Sequence, residues 1–171
     1  MKFLQADRLD DSDDHVYKPA ARAGELAVTG SFVFSFAEEE PEALSGKAAQ
    51  AFRHGFLGLE SFGWTTLVRI VEVSAEQYEV ALQRLARHLV ESYGAPSIEA
   101  ALPVARQELE FASGLCEHPV GTLLALERSL EQGEIHEAFK RVHPREQVAD
   151  WEGSGRPLDI WNLVPERDSA L

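Results

Sequence analysis

The feature that most constrains this fold is an apolar stretch at residues 63–74, with the sequence GWTTLVRIVEVS. Side chains of an extended chain alternate between two faces, and here both faces are apolar. One face would hold Leu67, Val71 and Val73, and the other would hold Val68 and Ile70. Apolar residues on both sides are typical of a covered, interior strand, and the β-branched residues favour strand over helix. We therefore predict a central strand at residues 65–73.

Further strands are predicted near residues 2–9, 14–18 and 26–36. The pattern is clearest in residues 26–36, where apolar side chains recur at every second position, at Leu26, Val28, Phe32, Phe34 and Phe36. Phenylalanines on one face require a covering layer, because each contributes roughly 1.5–3 kcal/mol when it is buried. Helices are expected to provide that cover.

Three helices are predicted, at residues 41–57, 75–93 and 97–115. A proline and several glutamates open the first helix, as helix N-termini prefer. Ser74 and Gln77 have the spacing of a capping box before the second helix, which then carries an unbroken apolar stripe. A proline inside the third helix indicates either a kink or a second helix start.

The next part of the chain supports alternative interpretations. Residues 121–129 fit a strand, but a helix with leucines at helical spacing fits nearly as well. After Gly133, the spacing of Ile135, Phe139 and Val142 matches a short helix. The strand interpretation of residues 121–129 would complete a larger sheet.

Together these elements indicate an α+β protein. We expect a mainly antiparallel sheet of about four to five strands, with three helices packed mostly on one face. Residues 1–148 would form a single domain. Residues 149–171 would form a linker followed by an apolar docking tail, whose predicted partner-binding residues are Trp151, Ile160, Trp161, Leu163 and Val164.

Composition excludes some classes of partner. The net charge of -13 argues against nucleic acid, whose phosphates require a basic surface, and against anionic membranes. It permits a basic protein partner, although solubility alone is the commoner reason for such a charge. The expected partner is another protein, or a second copy of the chain in self-association. The single cysteine, Cys116, rules out a disulfide within the chain, and no stretch is typical of a signal peptide or a membrane span. We therefore expect a cytoplasmic protein.

Residues 52–64, FRHGFLGLESFGW, are the most distinctive run in the chain, because glycines are interspersed with large apolar residues. The run is compatible with a pocket-shaping loop or with a helix C-terminus that turns tightly into the central strand. Together with that strand, it resembles a small family of uncharacterised bacterial proteins, over most of the first 145 residues. The resemblance implies a compact α+β domain, with no assigned activity and no catalytic residue to transfer.

Few side chains are candidates for chemistry. His54 and Glu60 would lie at the rim of the glycine-rich run. Cys116 and His118 could form a nucleophile pair, although neighbours this close in sequence rarely meet with the required geometry. The structural alternative is a buried thiol at a helix end beside a turn histidine.

No metal or cofactor is predicted. A structural zinc site needs four ligands, and the chain has a single cysteine. Histidines could bind a metal together with acidic side chains only if the fold gathers them; the candidates are His54, His118, His136 and His143.

Two functions are compatible with this sequence. The first is a non-enzymatic accessory or interaction protein, as a dimer or as a subunit of a larger complex. The alternative is a small-molecule-binding protein or enzyme, with a pocket between residues 55–64 and the turn at residues 116–118.

Overall fold

A computed structural model of the chain describes residues 1–8, 12–143 and 164–167. In chain order the elements are β1 (Lys2–Asp7), α1 (Ser12–Val16), β2 (Ala27–Val28), α2 (Phe32–Ser35), a 3₁₀ turn (Pro41–Ala43), α3 (Gly46–His54), β3 (Phe56–Gly58), β4 (Trp64–Thr65), β5 (Leu67–Glu72), α4 (Ala75–Tyr93), α5 (Ile98–Gly114), β6 (Leu123–Glu131), β7 (Glu134–His143) and β8 (Val164–Arg167). The strands form a five-stranded antiparallel sheet in the order β1-β5-β6-β7-β8 and a small antiparallel sheet in the order β2-β3-β4. The α+β prediction is confirmed.

The central strand lies where the sequence predicts it. β5 pairs with β1 on one side and with β6 on the other. Val68 and Ile70 are fully buried in the main core. Leu67 is buried on the opposite side with Leu123 and Val142. The strand is shorter than predicted, because Trp64 and Thr65 pair with β3 in the small sheet instead.

The predicted strand at residues 26–36 is wrong. Only Ala27–Val28 of this stretch is a strand, and Phe32–Ser35 forms the short helix α2. Gly30 separates the two elements with a φ of 78°, a conformation that glycine adopts without steric cost. A side chain at this position would also lie 2.6 Å from the Leu57 Cβ. The chain therefore turns here. Phe32 and Phe34 pack against the core from α2, and Phe36, which follows the helix, is exposed.

The predicted strand at residues 14–18 is also wrong, because Ser12–Val16 forms helix α1. Asp14, within this helix, pairs with the Arg8 guanidinium at 2.7 Å. Val16 contacts the core and the next residue, Tyr17, is buried. Burial of two consecutive side chains does not fit the alternation of a half-buried strand.

The helix predictions are confirmed in different degrees. α4 has the predicted bounds, and its capping box is complete: the Gln77 N–H donates to the Ser74 hydroxyl at 3.1 Å, and the Ser74 N–H donates to the Gln77 side chain at 2.8 Å. α5 continues through Pro103 without ending. The helix predicted at residues 41–57 is in fact a 3₁₀ turn followed by α3 and then β3.

The stretch after residue 121 forms a β-hairpin, so a helix containing Ile135 and Phe139 is wrong. β6 and β7 pair along their lengths, up to Glu131 opposite Glu134. Gln132 and Gly133 between them both have positive φ, at 53° and 79°. Two central residues with positive φ are typical of the tight turn that matches the twist of paired strands.

The main core lies between the large sheet and the helices. Leucines and alanines of α4 and α5 share this core with the inward residues of β5 and β6. Within the described residues, no helix is long and apolar enough to span a membrane. Much of the predicted linker and tail, residues 149–163 and 168–171, lies outside the described residues, together with Trp151, Ile160, Trp161 and Leu163; Val164 begins β8.

We predict that Ser74→Ala lowers the free energy of unfolding by about 1 kcal/mol, because it removes the acceptor for an N-terminal N–H of α4. Ser45→Ala is the matched control, since Ser45 occupies the same position before α3 and its side chain makes no capping hydrogen bond. Denaturant unfolding of both variants measures the difference. Equal losses in the two variants would contradict the role of the Ser74 cap.

Candidate binding cleft

Arg128 on β6 is the most deeply buried charged residue described in this structure. Alternation along the strand puts Leu124, Leu126 and Arg128 on the same face, which points into the core. The Arg128 side chain has no solvent exposure. Its cross-strand neighbour is Glu137 on β7. A charge in such a place is stable only when it is paired and hydrogen-bonded.

The Arg128 guanidinium uses each of its five N–H donors. Nε donates to the Ser31 hydroxyl at 2.8 Å. The remaining acceptors are backbone carbonyls, with distances of 3.2 Å to Ala51, 2.7 Å to Phe52, 2.7 Å to Thr29 and 3.2 Å to Gly55. One side chain thereby joins the C-terminal end of α3, the connection from β2 to α2, and β6.

Aromatic rings and the protein's own charges complete this site. The guanidinium carbon lies 5.1 Å from the centroid of the Phe34 ring and 6.0 Å from that of Phe52, which is within cation–π range. Burial lowers the pKa of Arg128 to about 10, and the nearby Glu137 carboxylate opposes that shift. The side chain is therefore a cation at neutral pH. Carbonyls at a helix C-terminus favour such a charge.

Glu137 lies between the buried Arg128 guanidinium and the protein surface. Its carboxylate accepts a hydrogen bond from the Ser31 hydroxyl and lies 3.5 Å from Arg128 Nε. Burial nevertheless raises the pKa of Glu137, with Arg128 acting in the opposite direction. Burial also raises the pKa of Glu108 on α5, and repulsion from Glu137 adds to that increase. Two incompletely solvated carboxyl groups therefore interact at this place.

A cleft of about 650 Å³ opens beside these groups, between α2, α5 and the first half of β7. It is lined by Ser31, Ser35, Phe111, Gly133, Glu134, Ile135, His136, Glu137 and Phe139. Phe111 is 48% exposed, and its ring centroid lies 6.1 Å from that of Phe139. The cleft therefore combines an exposed aromatic wall with carboxylates and hydroxyls.

No residue that the structure describes pairs with one backbone edge of the first half of β7, and we call this edge the open edge. β6 pairs with β7 on one side over its whole length. On the other side β8 pairs with residues 140–143. Among the residues that the structure describes, nothing pairs with that second side at residues 134–139. Unpaired N–H and C=O groups on such an edge can accept another strand.

The candidates at the glycine-rich run lie in two different places. Gly55 ends α3, as the structural interpretation of this run predicts. His54 Nδ1 lies 3.1 Å from the Leu126 carbonyl oxygen, beside a cavity of about 370 Å³. Glu60 forms an exposed ion pair with Arg84 at 2.9 Å, beside a separate cavity of about 300 Å³.

Cys116 and His118 lie in a third place. The Cys116 thiol is buried and donates to the Ala112 carbonyl at 3.5 Å. Burial raises its pKa to about 11, which disfavours the reactive thiolate. The His118 carbonyl accepts from Lys2 Nζ at 2.9 Å, and the cavity beside it measures about 10 Å³. Within the described parts of the chain, no three His, Cys, Asp or Glu residues are grouped to hold a metal ion.

Sequence reasoning missed both Arg128 and Glu137. The available signal was the alternation of Leu124, Leu126 and Arg128, which points the arginine inward once this stretch is assigned as a strand. Its acceptors come from residues about 70 to 100 positions earlier in the chain, and no local pattern reveals them.

Comparison with known proteins identifies a family. A model described as "Family of unknown function (DUF6505)" matches residues 1–152. No curated protein and no solved structure is significantly similar to the chain.

We predict that Arg128→Met lowers the free energy of unfolding by about 3–5 kcal/mol, because it leaves buried carbonyls without their donor and the Glu137 carboxylate without its countercharge. Arg84→Met is the control, since its ion pair with Glu60 is exposed and contributes less than about 1 kcal/mol. Unfolding in guanidinium chloride measures the free energy of unfolding of both variants. A cost below 1 kcal/mol for Arg128→Met would contradict the role assigned to this network.

We also predict that Cys116 of the native protein reacts slowly with a thiol reagent such as Ellman's reagent. A pKa of about 11, against 8.5 for a free thiol, leaves at least about 100-fold less thiolate at neutral pH, and burial blocks access. The denatured chain is the control and should react at the ordinary rate. Equal rates for the native and denatured chains would show that the thiol is exposed.

Proposed function

The chain belongs to DUF6505, a family of unknown function, and we propose that this protein is a non-enzymatic interaction protein that adds an extended segment of a protein partner to the open edge of β7. The observation that carries the proposal is the juxtaposition of that edge with the cleft walled by Phe111. The edge supplies backbone hydrogen bonds, and the cleft supplies contacts for side chains.

Strand addition is a recurrent mode of peptide recognition, in which the backbone gives affinity and pockets for alternate side chains give specificity. Residues 134–139 span roughly 20 Å at about 3.3 Å per residue, which is enough for a segment of six residues. Ile135, Glu137 and Phe139 alternate along this edge toward the side of α5 and are partly buried. A bound segment would place every second side chain beside them.

Binding is better supported than catalysis. His54, Glu60 and the Cys116–His118 turn lie beside different cavities, so the pocket proposed between residues 55–64 and 116–118 has no common lining. The Arg128 donors are used by the protein's own carbonyls and by Ser31. Arg128 therefore has no free donor to offer a reacting group.

The compartment and the remaining partners are part of the same proposal. A free, buried thiol is compatible with a reducing compartment such as the cytoplasm. The acidic composition, with a net charge of -13, favours protein over nucleic acid or anionic membrane as the partner. The interaction role predicted for the tail, including Trp161, stays a prediction.

The proposal is tested by titrating the isotope-labelled chain of 171 residues with capped hexapeptides in which valine alternates with lysine, threonine or glutamate. We expect amide signals of residues 134–139 to shift with at least one of these peptides. Phe111→Ala should weaken that binding about tenfold, because the ring forms an apolar wall of the cleft.

Val120→Ala is the matched control, since Val120 is as exposed as Phe111 but does not line the cleft. This variant should bind each peptide like the native protein. If no peptide shifts the signals of residues 134–139, or if Val120→Ala weakens binding as much as Phe111→Ala does, strand addition at β7 is wrong.

A further inference from the structure

We propose that the segment received at the edge of β7 is basic, with lysine or arginine side chains at alternate positions, and that one of these cations enters the cleft between Phe111 and Glu137. This inference rests on the proposed function and adds the chemistry of the partner. The geometry behind it is the distribution of charge around the edge and the exposed ring beside it.

Carboxylates surround the open edge. Glu131 and Glu134 are exposed at the hairpin turn, and Glu137 lines the cleft. Burial raises the pKa of Glu108 on α5, and repulsion from the nearby Glu137 adds to that rise. The histidine of this edge, His136, lies 3.9 Å from Glu131. An approaching segment therefore meets negative charge along the edge and at the bottom of the cleft.

Arg128 pairs with Glu137 from inside the core, and this pairing offsets only part of the effect of burial on that carboxylate. Arg128 has no solvent exposure, and its donors are used by backbone carbonyls and Ser31. Burial raises the pKa of Glu137 even with this cation 3.5 Å away. The charged forms of Glu137 and Glu108 have lost part of their hydration. A ligand ammonium or guanidinium would replace the hydration that these groups have lost.

The aromatic wall favours the same ligand. Phe111 is 48% exposed beside the carboxylates, and a cation over a phenylalanine ring gains from the ring's negative face. Long lysine and arginine side chains also have apolar stems, which can cover the ring while the charged end reaches the carboxylates. The cleft volume of about 650 Å³ is ample for one such side chain.

A second copy of this chain is a poorer occupant. Pairing the edge with itself would bring two acidic strands side by side, since each copy carries Glu134 and Glu137 on β7, and like charges on adjacent strands repel. Each copy also carries a net charge of -13. A basic segment from another protein has the complementary charge.

The experiment uses the same chain of 171 residues and the same three capped hexapeptides, alternating valine with lysine, threonine or glutamate. We expect the lysine peptide to bind at least tenfold more tightly than the threonine peptide, and the glutamate peptide to bind most weakly. Raising sodium chloride from about 50 to 500 mM should weaken the lysine peptide and leave the threonine peptide nearly unchanged, because salt screens exposed charges.

Variants that each remove one carboxylate show which carboxylates cause the preference for the lysine peptide. Glu134→Gln and Glu108→Gln should each reduce the preference for lysine over threonine by about threefold or more, and Glu110→Gln, on an exposed position of the same helix, should leave it unchanged. Circular dichroism and unfolding curves confirm that the variants are folded before their affinities are compared.

The outcomes separate the two proposals. Equal affinities for the lysine and threonine peptides, or tighter binding of the glutamate peptide, would overturn the basic partner and leave strand addition intact. Failure of all three peptides to bind would overturn strand addition as well. A dimer, detected by sedimentation, whose formation protects the amides of residues 134–139 would show that a second copy is the occupant and would overturn the basic partner.

Discussion

The fold depends on one buried cation, the Arg128 guanidinium, whose N–H donors are all hydrogen-bonded to protein acceptors. Moving a guanidinium out of water costs several kcal/mol, and the interior offsets that cost only when its donors are satisfied. Arg128 meets the requirement with four carbonyls and one hydroxyl from segments that are distant in sequence. The arginine consequently fixes the end of α3 and the connection from β2 to α2 against β6.

This arrangement also determines the candidate cleft. Ser31 donates to Glu137 while it accepts from Arg128, so the start of α2 is held against β7 and forms one wall. The other wall is α5, whose Phe111 faces Phe139 of β7. Because both walls are attached to the sheet, the cleft exists before any ligand arrives. A preformed site avoids the entropic cost of ordering its walls on binding.

Local patterns predicted the elements whose stability is local. The apolar stripe and capping box of α4 lie within one stretch, and alternation alone places Val68 and Ile70 of β5 in the main core. Of the predicted opposite face, Leu67 lies in a second cluster, whereas Val71 and Val73 belong to the main core. The same reasoning predicted residues 26–36 wrongly, because the apolar alternation continues on both sides of Gly30. The chain turns at Gly30, where Leu57 and Trp64 leave no room for a side chain. Likewise Ile135 and Phe139 have helical spacing, but Gln132 and Gly133 both have positive φ and form the tight turn of a hairpin.

The candidate site was missed for a different reason, which concerns the groups that would carry the proposed binding. Sequence reasoning selects reactive side chains, and here those side chains serve packing: the Cys116 thiol bonds to a helix carbonyl, and His54 to a strand carbonyl. The groups assigned to binding are mainly the N–H and C=O of β7, which every residue except proline possesses equally. Whether such groups are available depends on which strand lies beside them, and that is a property of the sheet as a whole. A site of this kind becomes visible only when the pairing of every strand is known.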